Sequence, residues 1–220
     1  MLYTKEELEA IAKVVVEQDI YVVSDEIYEN LIYTDDERVS IGSLNDEIFK
    51  RTITCNGLAK SYSMTGWRIG FTGAPLPVAK LMSSIQSHQT SNPNSIAQKA
   101  AVEALTGSQE AVVAMRKEFH KRMEYMYSRI CEMPLVSTLK PQGAFYVFVD
   151  VNKVIGKKHL DKQILDVNDI AMILLDEYKT AVVPCADFGF DDHIRLSYAI
   201  SMEQIKKGLD RIEDFLNKLA

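Results

Sequence analysis

No apolar run in this sequence approaches the ~18 residues that a membrane-spanning helix needs, and its first residues carry mixed charges instead of the apolar core of a secretory leader. Neither a membrane nor a leader is expected. Cysteine is scarce: Cys55, Cys131 and Cys185 are odd in number and widely spaced, with no CxxC and no Cys/His cluster. A zinc site and a disulfide framework are therefore not expected, no metal is expected, and a reducing cytoplasm is the expected location. No block of Lys and Arg offsets the net charge of −6. Without a local basic patch, nucleic acid is not an expected partner. Internal repeats, low-complexity segments and Gly/Ser linkers are absent as well.

What is present is an ordinary globular composition, 47% hydrophobic and 25% charged over 220 residues, enough for one or two domains with a real core. Thr4 and Glu7 form a capping box ahead of the apolar stripe Leu8, Ile11, Ala12, Val15, which predicts a helix over about residues 4–18. Short β-branched runs at Ile20–Ser24 and Arg51–Cys55 read as strands, and Ile69–Thr72 offers a third. Helix, strand, crossover and strand in that order describe parallel α/β. Helical patterns then dominate from Pro77 to about Cys131. Beyond them, strands at residues 143–149, 181–183 and 193–197 mix with helices near 168–178 and 201–219, an α+β arrangement. Ser201 and Gln204 read as a second capping box. The expected division is residues 1–107 and 108–220, with a long connecting helix opening the second part.

The stretch NGLAKSYSMTGWRIG, Asn56 to Gly70, sets a lysine among small residues with an arginine eight positions later. A phosphate-cradling P-loop needs glycine directly before the lysine and again five residues earlier, where this chain has Ala59 and Thr54. The nucleotide reading fails. The other use of a partly buried lysine is attack on a carbonyl, since an amine near a second cation such as Arg68 loses basicity. In open α/β sheets ligands bind beyond the carboxyl ends of strands, and both Asp25 and Lys60 follow expected strands. Singly, Asp25 also reads as a turn carboxylate, Lys60 as a solvated loop lysine, Tyr28 as a packing residue, and Arg68 and Arg195 as structural ion-pair partners.

Four segments taken in order, SDEIYENLIY, NGLAKSYSMTGWRIG, PQGAFYVF and IRLSYA, resemble the motifs of fold-type I pyridoxal-phosphate aminotransferases, in the class that includes bacterial aspartate aminotransferases. The resemblance runs over nearly the whole chain. It implies an α/β fold, part of the large cofactor-binding domain over 1–107 and an α+β small domain over 108–220. It also implies transfer of an amino group between an amino acid and a 2-oxo acid, with pyridoxal 5'-phosphate as cofactor and a homodimeric assembly. Lys60 would hold the cofactor as a Schiff base and shuttle the proton. Asp25 would pair with the pyridine nitrogen, Tyr28 would bond the ring oxygen, Arg68 would clamp the phosphate, and Arg195 would bind the substrate carboxylate. Trp67, Phe145 and Tyr146 read as core or pocket wall.

Three departures qualify the likeness. Ala59 stands where many relatives have a phosphate-binding serine, leaving that contact to Ser61 or to backbone amides. Cys185 follows Pro184 where relatives commonly have glycine, in the loop that leads to Arg195. The family's glycine-containing phosphate loop, ring-stacking aromatic and Asn-Pro-Thr-Gly signature all lie upstream of what corresponds to this chain. The sequence thus reads as the C-terminal part of an aminotransferase, inactive or weakly active by itself. A C–S lyase of the same fold would use the same Lys60, Asp25 and Arg68, and a non-catalytic remnant serving dimerisation or complementation is a further reading.

Overall fold

The computed structural model describes residues 2–34 and 38–220, and the chain divides into two compact units, Met1–Arg116 and Lys117–Ala220. The first unit opens with α1 (Lys5–Glu17), whose capping box is complete: Glu7 N–H donates to Thr4 Oγ1 (3.2 Å) and Thr4 N–H to Glu7 Oε2 (2.8 Å). The chain continues into β1 (Val22–Asp25), the short α2 (Asp46–Phe49) and β2 (Thr52–Gly57). Strands β1 and β2 are parallel, in register from Val22 opposite Thr52 to Asp25 opposite Cys55. Ala12 and Val15 of α1 pack on Ile41 and Ile48, with Leu8, Val22 and Leu44 around them. This cluster holds the helix against the start of the sheet.

The third strand departs from a parallel arrangement. Strand β3 (Gly70–Gly73) runs antiparallel to β2, with Gly57 opposite Gly70. A parallel return needs a crossover of a dozen or so residues, usually helical, whereas residues 58–69 hold only tight turns and a 3-10 segment at Thr65–Trp67. The two glycines make the return possible: a Cβ on Gly57 would lie 3.1 Å from Gly70 Cα. The expected helical stretch resolves into α3 (Leu76–Gln89), α4 (Ser95–Thr106) and α5 (Glu110–Glu132), and the division between the units falls inside α5.

The second unit is an antiparallel sheet in the order β4-β5-β9-β8, from Ser137–Thr138, Tyr146–Asp150, His193–Ser197 and Val183–Pro184. A two-residue-per-strand hairpin, β6 (Lys158–His159) and β7 (Lys162–Gln163), precedes α6 (Val167–Asp176), and α7 (Met202–Asn217) closes the chain. Strand β5 starts later than the sequence pattern suggests because Ala144 sits at φ 59°, a left-handed conformation that breaks extended backbone. Of the capping box read at Ser201, one arm is present, Gln204 N–H donating to Ser201 Oγ. Alternation divides the two faces of the sheet. Val147, Val149, Ile194 and Leu196 are buried, and the last three meet Ile130 of α5, Leu174 of α6 and Phe215 of α7 around a void of only about 10 Å³. The alternate residues Tyr146, Phe148, His193, Arg195 and Ser197 share the opposite face.

Candidate active site

The side chains singled out in the first unit sit at the end of β1 and on the chain that follows β1 and β2. Asp25 closes β1, exposed, and its Oδ1 accepts a hydrogen bond from Ile27 N–H (3.1 Å). That is an Asx turn, which bends the chain directly after the strand. Glu26 N–H donates to Cys55 O (2.9 Å), so the bend stays tied to the neighbouring β2. Tyr28 follows in the same turn, where its carbonyl accepts from the N–H of fully buried Leu31 (2.8 Å).

Lys60 comes three residues after β2, on a turn closed by Tyr62 N–H to Leu58 O (3.2 Å) and Ser63 N–H to Lys60 O (3.2 Å). Leu58 and Ser61, each 1% exposed, anchor that turn on both sides of the lysine. A residue fixed in this way projects its side chain in a limited range of directions. Lys60 Nζ lies 6.0 Å from the centre of the Tyr28 ring, so the ends of β1 and β2 bring amine and phenol together. Ser61 Oγ is buried and has no hydrogen-bond partner among the described residues.

Arg68 ends the 3-10 segment in a left-handed conformation, φ 51° and ψ 47°. An arginine in this region stores strain of about 1 kcal/mol or more, and the sharp turn it makes leads the chain into β3. Its Nη1 donates to Thr65 O (3.0 Å), and it makes no ion pair among the described residues. The exposed guanidinium borders a cleft of about 650 Å³ shared with Ser63, Gly66, Trp67 and the start of α4 at Asn94, Ile96 and Ala97. Trp67, read from sequence as core or pocket wall, is 46% exposed on that cleft.

Arg195 belongs to the second unit, on the face of β9 turned away from the buried core. Its guanidinium carbon is 4.4 Å from the centre of the Tyr146 ring and 5.1 Å from that of Phe188. Among the described residues the buried Nε has no partner, and the Nη nitrogens make no bond and keep solvent access. Sequence reasoning left Tyr146 among the wall residues and did not single out Phe188. The available signal was the strand period, which puts Tyr146 and Arg195 on one face once β5 and β9 pair.

A sequence profile of the family described as aminotransferase class I and II matches residues 1–212. The chain belongs to the aminotransferase class I and II family. Aminotransferases of this class are pyridoxal phosphate enzymes. An aspartate aminotransferase of Bacillus sp. (strain YM-2) is 43% identical over 216 residues, covering 98% of this chain and 54% of the relative. The aspartate aminotransferase of Bacillus subtilis (strain 168) is 41% identical over 99% of this chain and 54% of its own length. Among solved structures, the aspartate aminotransferase from Rhizobium meliloti superposes with a TM-score of 0.95 at 33% identity, covering 99% of this chain and 55% of that one. The chain thus spans about half the length of the curated relatives it matches. Among the described residues no helix of this aminotransferase chain is long and apolar enough to cross a membrane, and no cluster of His, Cys, Asp and Glu is placed to hold a metal.

Proposed function

We propose that this chain forms the C-terminal part of an aspartate-aminotransferase-like enzyme, moving an amino group between an amino acid and a 2-oxo acid with pyridoxal phosphate. Residues 1–107 are its share of the cofactor-binding domain and 108–220 its small domain. The enzyme is a cytoplasmic homodimer. The observation that carries the reading is the pairing of strand ends, which puts the anchored Lys60 amine 6.0 Å from the Tyr28 ring on the element next to Asp25.

The residues present suit the cofactor. Lys60 offers an amine for its aldehyde, Asp25 an exposed carboxylate for its ring nitrogen, and Tyr28 a hydroxyl for its ring oxygen. Arg68 has no carboxylate partner among the described residues, and the orphaned Ser61 Oγ is a second group that an anionic phosphate could satisfy. When bound, pyridoxal phosphate supplies an electron sink conjugated to the amino acid α-carbon. Asp25 would favour a protonated ring nitrogen, because a carboxylate beside a cationic acid raises its pKa by about 1–3 units. Arg68 fixes the phosphate end, and Arg195 holds the substrate α-carboxylate through its open Nη edge. Lys60 Nζ would hold the aldehyde end of the cofactor and, as a free amine, would serve as the base for the substrate α-proton.

The test is covalent mapping. Treating the chain with pyridoxal phosphate and then borohydride should fix the cofactor to the peptide containing Lys60, and Lys60→Ala should remove the label. Label on another lysine overturns the assignment.

A further inference from the structure

We propose that Tyr146 and Phe188 are positioning residues that aim the Arg195 guanidinium, leaving its Nη edge as the one face able to receive a planar carboxylate. This inference rests on the reading of Arg195 as the carboxylate binder. Guanidinium is the most readily stacked of the side-chain cations, and a ring within about 6 Å of it contributes attraction without using any of its N–H donors. Arg195 has two such rings, at 4.4 and 5.1 Å. Held by hydrogen bonds or by a carboxylate, an arginine commits the same donors that a substrate needs. Held by ring faces, it keeps them. Arg195 makes no ion pair or hydrogen bond through its side chain to any described residue, and its Nε is buried. The stem end is therefore enclosed while the fork end is open.

The two rings are placed by independent means. Tyr146 comes from β5, opposite Ser197 of β9, on the face it shares with Arg195. Phe188 comes from the short helical turn Ala186–Phe188. Although 58% exposed, it is held by its backbone: Phe188 N–H and Phe190 N–H both donate to Cys185 O, at 2.9 and 3.1 Å, and Cys185 N–H donates to His193 O at 3.0 Å. Cys185 itself is 1% exposed. The loop anchored by Cys185 is thus the one that carries half of the aromatic support.

The experiment uses the 220-residue chain labelled with ¹⁵N and follows the arginine Nε–Hε resonance of Arg195 by NMR, with L-aspartate as the probe. In the unaltered chain the resonance should be displaced upfield by the ring currents and should move further on titration. Tyr146→Leu and Phe188→Leu should each reduce the upfield displacement and weaken the titration midpoint about threefold, and the double variant about tenfold, the range expected for two partly exposed cation–ring contacts. Tyr146→Phe and Phe188→Tyr, which keep the rings, should stay within about twofold. Leucine variants with unchanged displacement and midpoint overturn the proposal while leaving Arg195 as the binder. Equal weakening by the ring-preserving variants, or loss of the β9 amide pattern in every variant, assigns the rings a structural role and overturns it too. No response of Arg195 to L-aspartate in the unaltered chain removes the carboxylate reading, and the positioning role falls with it.

Discussion

The two units of this chain bury their apolar side chains to very different degrees. In the second, three helices cover one face of an antiparallel sheet. Large residues such as Tyr198, Phe215, Leu209 and Ile170 are at most 1% exposed. In the first, α3 has no buried residue over its whole length, β3 is exposed throughout, and Leu76, Leu81, Ile85 and Ile96 are 60% or more exposed. Yet the first unit carries four of the five side chains assigned to chemistry. A tightly packed core and an available site are drawn from different parts of the sequence here, and the residues nearest the chemistry owe their positions to a few local anchors: Leu31 under Tyr28, and Leu58 and Ser61 beside Lys60.

Truncating a helical leucine in each unit in turn should break or confirm that contrast. Leu209→Ala removes a side chain that is 1% exposed, and should cost about 2–5 kcal/mol. Leu81→Ala removes one that is 67% exposed, and should change stability by less than about 0.5 kcal/mol. Urea titrations followed by far-UV circular dichroism measure both. Trp67 is the chain's one tryptophan and sits in the first unit, so its fluorescence reports that unit separately. Its transition should precede the dichroism transition. Coincident transitions, or a Leu81→Ala cost as large as that of Leu209→Ala, would show that the first unit has the better core after all.

The next effect separates binding from stability. Arg68→Ala deletes charge-assisted bonds to a phosphate worth about 1.5–3 kcal/mol, or one to two orders of magnitude in affinity for pyridoxal phosphate. Because the one bond of that side chain among the described residues is to Thr65 O, the unfolding midpoint should hardly move. Absorbance titration with the cofactor and a urea curve on the same variant decide it. An unchanged affinity with a lowered midpoint would make Arg68 a structural residue.

The same contrast explains what could be read in advance. Local signals were legible: the Thr4–Glu7 box, the strands that become β5 and β9, and the position of Lys60 just after a strand end, because each depends on residues close in sequence. The direction of β3 was not, since it follows from the tight return through residues 58–69 and the contact of Gly57 with Gly70. Nor were the hairpin at Lys158–Gln163, which turns at Leu160 in a left-handed conformation without glycine, and the rings around Arg195. Those depend on which strand pairs with which and in what register, and pattern within one strand does not contain that. The family was legible through four separated motifs, while the rings that flank Arg195 emerged only when β5, β9 and the Cys185 loop were placed together.

The smallest expected effect concerns Cys185, the buried anchor of that loop. Burial pushes its thiol above the ordinary value of 9.0, with the positive charge of Arg195 offsetting part of the rise. The sign follows from linkage: a neutral thiol in the folded chain, facing a thiolate in the unfolded one, makes the unfolded state lose protons first as pH rises. The stability that depends on the neutral form is intact below pH 9.0 and declines as pH rises through the folded thiol's own, higher value. The slope should stay well under the single-proton limit of about 1.4 kcal/mol per pH unit, because the nearby charge already eases ionisation. Cys185→Ala should flatten the decline that begins near pH 9.0. A second decline, above pH 10.0, should remain in that variant, since burial also raises the Tyr178 phenol. The difference between the stability curves of the two proteins, measured between pH 8 and 11, should therefore be constant at the lower end and change above pH 9.0. Parallel curves across the whole range would mean that the Cys185 thiol ionises as readily in the folded chain as in the unfolded one, and that the loop carrying Phe188 is more open than its hydrogen bonds to Cys185 imply.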